Sequence, residues 1–129
     1  MEMTIDHIAL YAENLEDEKN FFETYFGGTA GEKYFNEKTG FTSYFIAFED
    51  GTRHEIMNMP DTRKAENILR MAGYAHIAFH AGSMENVNAL TDKLRKDGFS
   101  VISGPRTTGD GYYESCIEDR EGNLIEITV

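Results

Sequence analysis

Apolar and polar positions alternate along Gly73–His80, which is the pattern of a strand with one buried face. Ala, Ile and Phe fill the apolar face, while His76 and His80 lie on the opposite one. The same pattern occurs near the N-terminus in Ile5–Tyr11, where His7 takes the position of His76. We therefore expect a duplicated unit, in which each copy places a histidine on the face that its helix leaves uncovered.

Periodicity and turn signals predict the same order of elements in both halves, β-α-β-β-β. The first half is predicted to contain strands at 4–11, 30–37, 42–48 and 53–59, with a helix at 15–26. The second half is predicted to contain strands at 74–80, 99–102, 112–118 and 123–129, a helix at 84–97, and a glycine-rich rim loop at 104–111. These elements define one module at 1–60, a connector with a possible short helix at 61–72, and a second module at 73–129.

Two glutamates repeat in the same way as the histidines. Glu55 and Glu126 each lie four residues after a turn glycine, Gly51 and Gly122. Strand alternation places each glutamate opposite the apolar face of its strand, as it does each histidine. A single strand histidine or glutamate is more often structural than functional. Matched positions in both copies favour a shared functional role for the four residues.

Two imidazoles and two carboxylates form a suitable ligand set for a divalent metal ion. Nitrogen and oxygen donors together favour Ni, Zn, Co, Mn or Fe over Ca, which prefers oxygen alone. We therefore predict one divalent ion as the cofactor, able to act as a Lewis acid toward a bound substrate.

Composition excludes several classes of function. The 129 residues include 23 acidic and 12 basic ones, a net charge of −11 that argues against nucleic-acid and anionic-membrane partners. No apolar run is long enough to span a bilayer, and no secretory signal is recognisable. The single cysteine, Cys116, is typical of a reducing compartment and is predicted to be structural. These features predict a cytoplasmic protein, and they say nothing about its substrate.

Four segments resemble the vicinal oxygen chelate superfamily, which includes glyoxalase I, bleomycin-binding proteins, fosfomycin-resistance proteins and extradiol dioxygenases. The segments are Asp6–Leu10, His54–Met57, Gly73–Phe79 and Glu118–Ile127, of which the last two are most similar to bacterial glyoxalase I. The resemblance implies an α+β fold in which two βαβββ modules pair into a cupped mixed sheet, and a homodimer.

The resemblance also implies roles for individual residues. It assigns His7, Glu55, His76 and Glu126 as metal ligands, with Glu126, or alternatively Glu55, as the catalytic base. The implied activity is a metal-dependent lyase or isomerase that moves a proton on a small carbonyl substrate through a stabilised enolate. The alternatives are a ligand-sequestering protein of the bleomycin-resistance type and a fosfomycin-type thiol transferase, whose ligand set has three members. The two-His-one-Glu extradiol dioxygenases rank lower.

Substrate contacts are predicted next to this set. Bacterial glyoxalase I has an arginine four residues after its first histidine to hold the glutathione carboxylate, and this chain has Tyr11 there. Glutathione is therefore not the expected substrate, although Arg53 or Arg106 is available as a replacement cation. The residues predicted to bind substrate are Tyr11, Arg53, His80, Arg106 and Tyr113.

Overall fold

Each half of the chain folds around its own sheet. A computed structural model describes residues 1–66 and 70–129 and divides the chain into two units, Met1–Lys64 and Ala65–Val129. The first unit contains β1 (His7–Tyr11), α1 (Leu15–Tyr25), β2 (Thr29–Ala30), β3 (Tyr34–Phe35), β4 (Thr42–Ala47) and β5 (Arg53–Asn58). The second contains β6 (His76–His80), α2 (Met84–Lys96), β7 (Ser100–Thr107), β8 (Tyr113–Glu118) and β9 (Leu124–Thr128).

In the first unit α1 covers one face of the sheet. The strand order is β1-β5-β4-β2, with β3 also paired to β4, and β1 runs parallel to β5. The Asn14 side chain accepts a hydrogen bond from the Asp17 N–H at 3.0 Å, which satisfies one of the unpaired donors in the first helical turn. Phe22, Ile46 and Ile56 are fully buried between helix and sheet.

The second unit repeats this arrangement. Its strand order is β6-β9-β8-β7, and β6 runs parallel to β9. Ser83 caps α2 by accepting a hydrogen bond from the Asn86 N–H at 3.1 Å. The core side chains are fully buried on the helix side of the sheet: Val87, Leu94, Ile117, Ile125 and Ile127. Among them the hydroxyls of Thr91 and Ser115 lie 2.6 Å apart, so each of these two buried hydroxyls has a partner.

The duplication predicted from sequence extends to the pairing register of the strands. In the first sheet Ala9 of β1 lies opposite Glu55 of β5, and in the second Ala78 of β6 lies opposite Glu126 of β9. Because successive side chains point to opposite faces, His7 shares a face with Glu55, and His76 shares one with Glu126. The two modules therefore present the same pair of residue types in the same register.

The α+β class is confirmed, and two expectations on strand boundaries are wrong. The strand predicted at 30–37 is two short strands, β2 and β3, so the first module has one strand more than β-α-β-β-β. The loop predicted at 104–111 is strand as far as Thr107, because β7 continues through register shifts after Val101 and Ser103. The possible helix within 61–72 falls partly on residues 67–69, which lie outside the described residues. The pairing of the two modules into one cupped sheet stays a prediction.

No helix within residues 1–66 and 70–129 has both the length and the apolarity that a membrane crossing requires.

Gly104 makes the irregular path of β7 possible, and its replacement should destabilise the second module. Its φ is +77°, and an added Cβ would lie 2.5 Å from the carbonyl oxygen of Glu114. We expect Gly104→Ala to lower the free energy of unfolding by about 2–3 kcal/mol, from left-handed strain and steric overlap together. Gly111→Ala is the matched control, since Gly111 has a φ of +93° but no atom within 4 Å of the added Cβ. Urea denaturation of both variants measures the difference, and equal losses would contradict the role of the close contact.

Candidate metal site

The first pair of predicted ligands lies on the face of the first sheet that α1 leaves uncovered. His7 Nε2 is 3.6 Å from Glu55 Oε1. The ring of Phe45, which lies opposite Glu55 on β4, contacts the His7 imidazole edge-on with centroids 5.2 Å apart. An apolar ring thus flanks the pair on one side, while one third of the His7 side chain, 34%, is exposed to solvent.

The other nitrogen of His7 contacts a carboxylate outside the predicted set. His7 Nδ1 lies 2.7 Å from Asp6 Oδ2, and the same oxygen accepts a hydrogen bond from Arg53 Nη2 at 2.8 Å. The hydrogen bond to His7, and next the charge of Arg53, lower the pKa of the Asp6 carboxyl from its usual value. The Arg53 guanidinium also stacks 4.8 Å above the Phe45 ring. Arg53, predicted to bind substrate, therefore has two contacts with protein groups.

The second pair is closer. His76 Nε2 lies 3.0 Å from Glu126 Oε1, and the Glu126 side chain is only 17% exposed. The other oxygen, Oε2, is buried and accepts no hydrogen bond of standard geometry from the residues that the structure describes. Burial raises the pKa of Glu126, the neighbouring carboxyl of Glu114 raises it further, and the imidazole of His76 opposes both. Glu126 therefore holds a proton more readily than an exposed glutamate.

Two neighbours of Glu126 were not predicted to lie in the site. Cys116 lies directly opposite Glu126 on β8, and Glu114 is two residues earlier on the same face. Burial, followed by the negative charges of Glu126 and Glu114, raises the pKa of the Cys116 thiol, which favours its protonated form. The alternation along β8 could have predicted both neighbours, since residues 114, 116 and 118 share a face with the glutamate of the adjacent strand.

Some of the residues predicted to bind substrate lie on the same sheet faces as the predicted ligands, and one lies on the opposite face. Tyr11 and His80 end β1 and β6 on the faces of His7 and His76, and both are exposed. Arg106 lies opposite Glu114 in the β7–β8 pair, on the Glu126 face, and is also exposed. Tyr113 lies on the opposite face, where its hydroxyl donates a hydrogen bond to Asn88 of α2. The structure therefore does not bring Tyr113 to the Glu126 face.

The four predicted ligands come together as two pairs. In residues 1–66 and 70–129, no group of three or more His, Cys, Asp or Glu side chains closes around one metal position. Each pair nevertheless provides donors that suit a metal. His7 Nδ1 is engaged with Asp6 at 2.7 Å, so the ring presents Nε2 on the side of the Glu55 carboxylate. A cation could be held between the imidazole and the carboxylate of each pair, since both residue types are common metal ligands.

Comparison with known proteins places the chain in a family. The sequence profile of the Glyoxalase/Bleomycin resistance protein/Dioxygenase superfamily matches residues 4–127. The chain belongs to this superfamily. It is 25% identical over 128 residues to the uncharacterized protein YqjT of Bacillus subtilis, with 94% of each chain covered.

Solved structures of this superfamily have the same fold. A glyoxalase family protein from Bacillus cereus superposes with a TM-score of 0.83 at 17% identity, covering 99% of this chain and 94% of that one. The fosfomycin resistance protein FosX from Listeria monocytogenes, in complex with Mn(II) and sulfate, gives a TM-score of 0.73 at 18% identity, covering 100% and 93%. The resemblance seen in the sequence and the glyoxalase-like fold class are thus confirmed.

Proposed function

We propose that this superfamily member is a metal-dependent lyase or isomerase of the glyoxalase I type, which moves a proton between neighbouring carbons of a small carbonyl substrate. The observation that carries the proposal is the repetition of one His/Glu pair, in one register, on the uncovered face of each module. Isolated structural histidines have no reason to recur with a glutamate at the same place in both sheets. A shared ligand role gives that reason.

In this proposal the two pairs act as one set of ligands. His7, Glu55, His76 and Glu126 would hold a single divalent ion from the group Ni, Zn, Co, Mn and Fe. When bound, the ion supplies positive charge that stabilises a substrate oxygen as it becomes negative. The mixed nitrogen and oxygen donors and the facing acceptors of the first pair support this assignment.

Glu126 is the proposed catalytic base. Its Oε1 faces His76 Nε2, which leaves Oε2 as the oxygen able to accept a proton from a substrate carbon and return it to the next one. Burial raises the pKa of the Glu126 carboxyl, which strengthens it as a base. Glu55 has the same place in the first module, but its neighbours are Phe45 and the His7 imidazole rather than a second carboxyl. This difference between the modules favours Glu126 over Glu55 as the base.

Substrate recognition is proposed to involve the exposed residues on the same faces. Arg106 is a cation on the Glu126 face and suits an anionic substrate group, while Tyr11 and His80 provide hydrogen-bonding groups at the strand ends. The homodimer and the cytoplasmic location expected from the sequence are also part of the proposal. In support of a dimer, β1 and β6 each stand at the edge of their own sheet, and such edges are usually covered in natural proteins.

Metal content followed by proton exchange tests the proposed function. The purified protein is dialysed separately against Ni, Zn, Mn and Fe(II), and the bound metal is measured by elemental analysis. We expect one tightly held ion per chain, because both pairs contribute to one set. The loaded protein should then catalyse deuterium uptake from D₂O at the carbon next to the carbonyl of its substrate, as seen by proton NMR over a panel of small carbonyl compounds. Failure to retain any of these metals would favour the ligand-sequestering alternative.

Methylglyoxal with glutathione is an informative member of that panel. Because Tyr11 replaces the arginine expected to hold the glutathione carboxylate, we expect little lactoylglutathione to form. A kcat/KM above about 10⁴ M⁻¹s⁻¹, the lower end for efficient enzymes, would contradict this expectation about the substrate. It would leave the proton-transfer chemistry in place.

A further inference from the structure

Asp6 joins two residues that are far apart in the sequence. Its Oδ2 lies 2.7 Å from His7 Nδ1 and accepts a hydrogen bond from Arg53 Nη2 at 2.8 Å. Arg53 is fixed in turn over the Phe45 ring, 4.8 Å from its centroid. One carboxylate oxygen is thus shared between the ring of the first predicted ligand and a guanidinium that β5 supports. The proposed function assigns no role to Asp6.

The contact decides which nitrogen of His7 carries the proton. An ionised carboxylate has no proton to donate. In its contact with His7, Asp6 is therefore the acceptor and Nδ1 is the donor. In the neutral ring Nε2 then has its lone pair exposed, and this is the atom that points to Glu55 Oε1, 3.6 Å away. A histidine that ligates through Nε2 needs this tautomer, and carboxylates beside metal-binding histidines commonly enforce it.

The second module provides an internal comparison. The positions that correspond to Asp6 and Arg53 are Ala75 and Leu124, which have neither a carboxylate nor a guanidinium. There, His76 Nε2 lies at 3.0 Å from Glu126 Oε1, a distance at which an Nε2 proton can be donated directly. The two histidines are therefore oriented by different contacts. His7 is held at Nδ1 by Asp6, whereas His76 is held at Nε2 by Glu126 on β9.

We propose that Asp6, fixed by Arg53, is a positioning residue that holds His7 in the Nδ1–H tautomer and so makes Nε2 the metal-binding atom. This inference rests on the proposed function for the metal, but the tautomer itself is a property of the metal-free protein. It also assigns Arg53 to the support of His7 instead of to the substrate.

The tautomer is measured first, in metal-free protein labelled with ¹⁵N-histidine. At about pH 9, where an ordinary imidazole is neutral, long-range proton–nitrogen correlations distinguish the two forms. We expect His7 to be protonated at Nδ1 in the parent protein. Asp6→Ala should move the proton to Nε2, from which it can be donated to Glu55. Asp6→Asn should retain the Nδ1–H form, because the amide oxygen still accepts, and it shows that the hydrogen bond rather than the charge sets the tautomer.

The His76 signals are the control within each spectrum. They should stay unchanged in both variants, since the contacts of Asp6 are with His7 and Arg53, while His76 pairs with Glu126. A His7 ring protonated at Nε2 in the parent protein would overturn the proposal. So would an Asp6→Ala variant whose His76 signals are native and whose His7 tautomer is unchanged.

Metal affinity is measured second, by competition with a chelator. We expect Asp6→Ala to weaken binding by about 10–100-fold, the usual effect of losing a carboxylate beside a ligating histidine, and Asp6→Asn to weaken it less. A parent protein with the expected tautomer that binds no metal would refute the proposed function and leave Asp6 as the residue that sets the tautomer. Metal binding that is equally tight in the parent and in Asp6→Ala would refute the positioning role and leave the proposed function intact.

Discussion

Replacement of Glu126 by glutamine is expected to weaken metal binding by more than about 100-fold. Loss of an outer-shell partner alone costs about 10–100-fold in affinity, and the removal of a direct ligand should cost more. The substitution keeps the size of the side chain but removes the negative charge of the carboxylate, which would balance a divalent ion. Elemental analysis after gel filtration and chelator competition measure the loss.

Glu118→Gln is the matched control for this experiment. Glu118 lies on β8 opposite Leu124, shares a sheet face with Glu126, and loses the same charge when changed to glutamine. We expect near-parental affinity in this variant, because the change in overall charge is the same and the proposed ligand set is intact. If both variants lose metal equally, general electrostatics would explain the effect. If neither does, the assignment of Glu126 as a ligand is refuted.

Phe22→Ala should have the largest effect on stability, a loss of about 3–5 kcal/mol in the free energy of unfolding. Phe22 belongs to α1, and its side chain is fully buried between the helix and the first sheet. Its ring contacts those of Phe21 at 5.2 Å, Phe26 at 6.0 Å and His54 at 4.9 Å between centroids. Truncation would leave a cavity among rigid rings that cannot collapse into it, and small domains have a total stability of only about 5–15 kcal/mol.

Phe35→Ala is the control for the loss of a phenyl ring. Phe35 lies in β3 and is 58% exposed, so we expect a change below about 1 kcal/mol. Because the chain has no tryptophan, circular dichroism is the suitable probe for urea unfolding of both variants. Similar losses in the two variants would contradict the assignment of Phe22 to the centre of the core of the first module.

The faces of the strands were predictable from sequence because strand alternation is a local property. Each of the four predicted ligands lies next to an apolar residue that marks the opposite face of the strand, such as Ile8 beside His7 or Ile125 beside Glu126. The turn glycines fixed the ends of the strands, so the matched register of the two modules followed from counting residues. His54 is buried against Phe22, on the face opposite that of Glu55, as its position one residue before Glu55 predicts.

The orientation of β8 was harder to read, because both of its faces are partly polar. Ser115 lies buried on the helix side, where it meets the hydroxyl of Thr91, and Tyr113 shares that side. A buried serine weakens the hydrophobic signal that otherwise marks the inner face. The extension of β7 through Gly104 was missed for a related reason: Gly and Pro usually end a strand, and here they lie at a register shift within one.

The sequence by itself determined the family, the α+β class, the duplication and the face on which each predicted ligand lies. The family follows from the resemblance of four short segments, and the others follow from patterns within one strand and from the matched spacing of the two halves. Only the tertiary structure showed that Asp6 and Arg53, 47 residues apart, meet at His7, that Glu114 and Cys116 lie beside Glu126, and that Tyr113 faces α2. Those contacts depend on which strands are neighbours and in what register, and pairing between distant segments is not encoded in the alternation of any one of them.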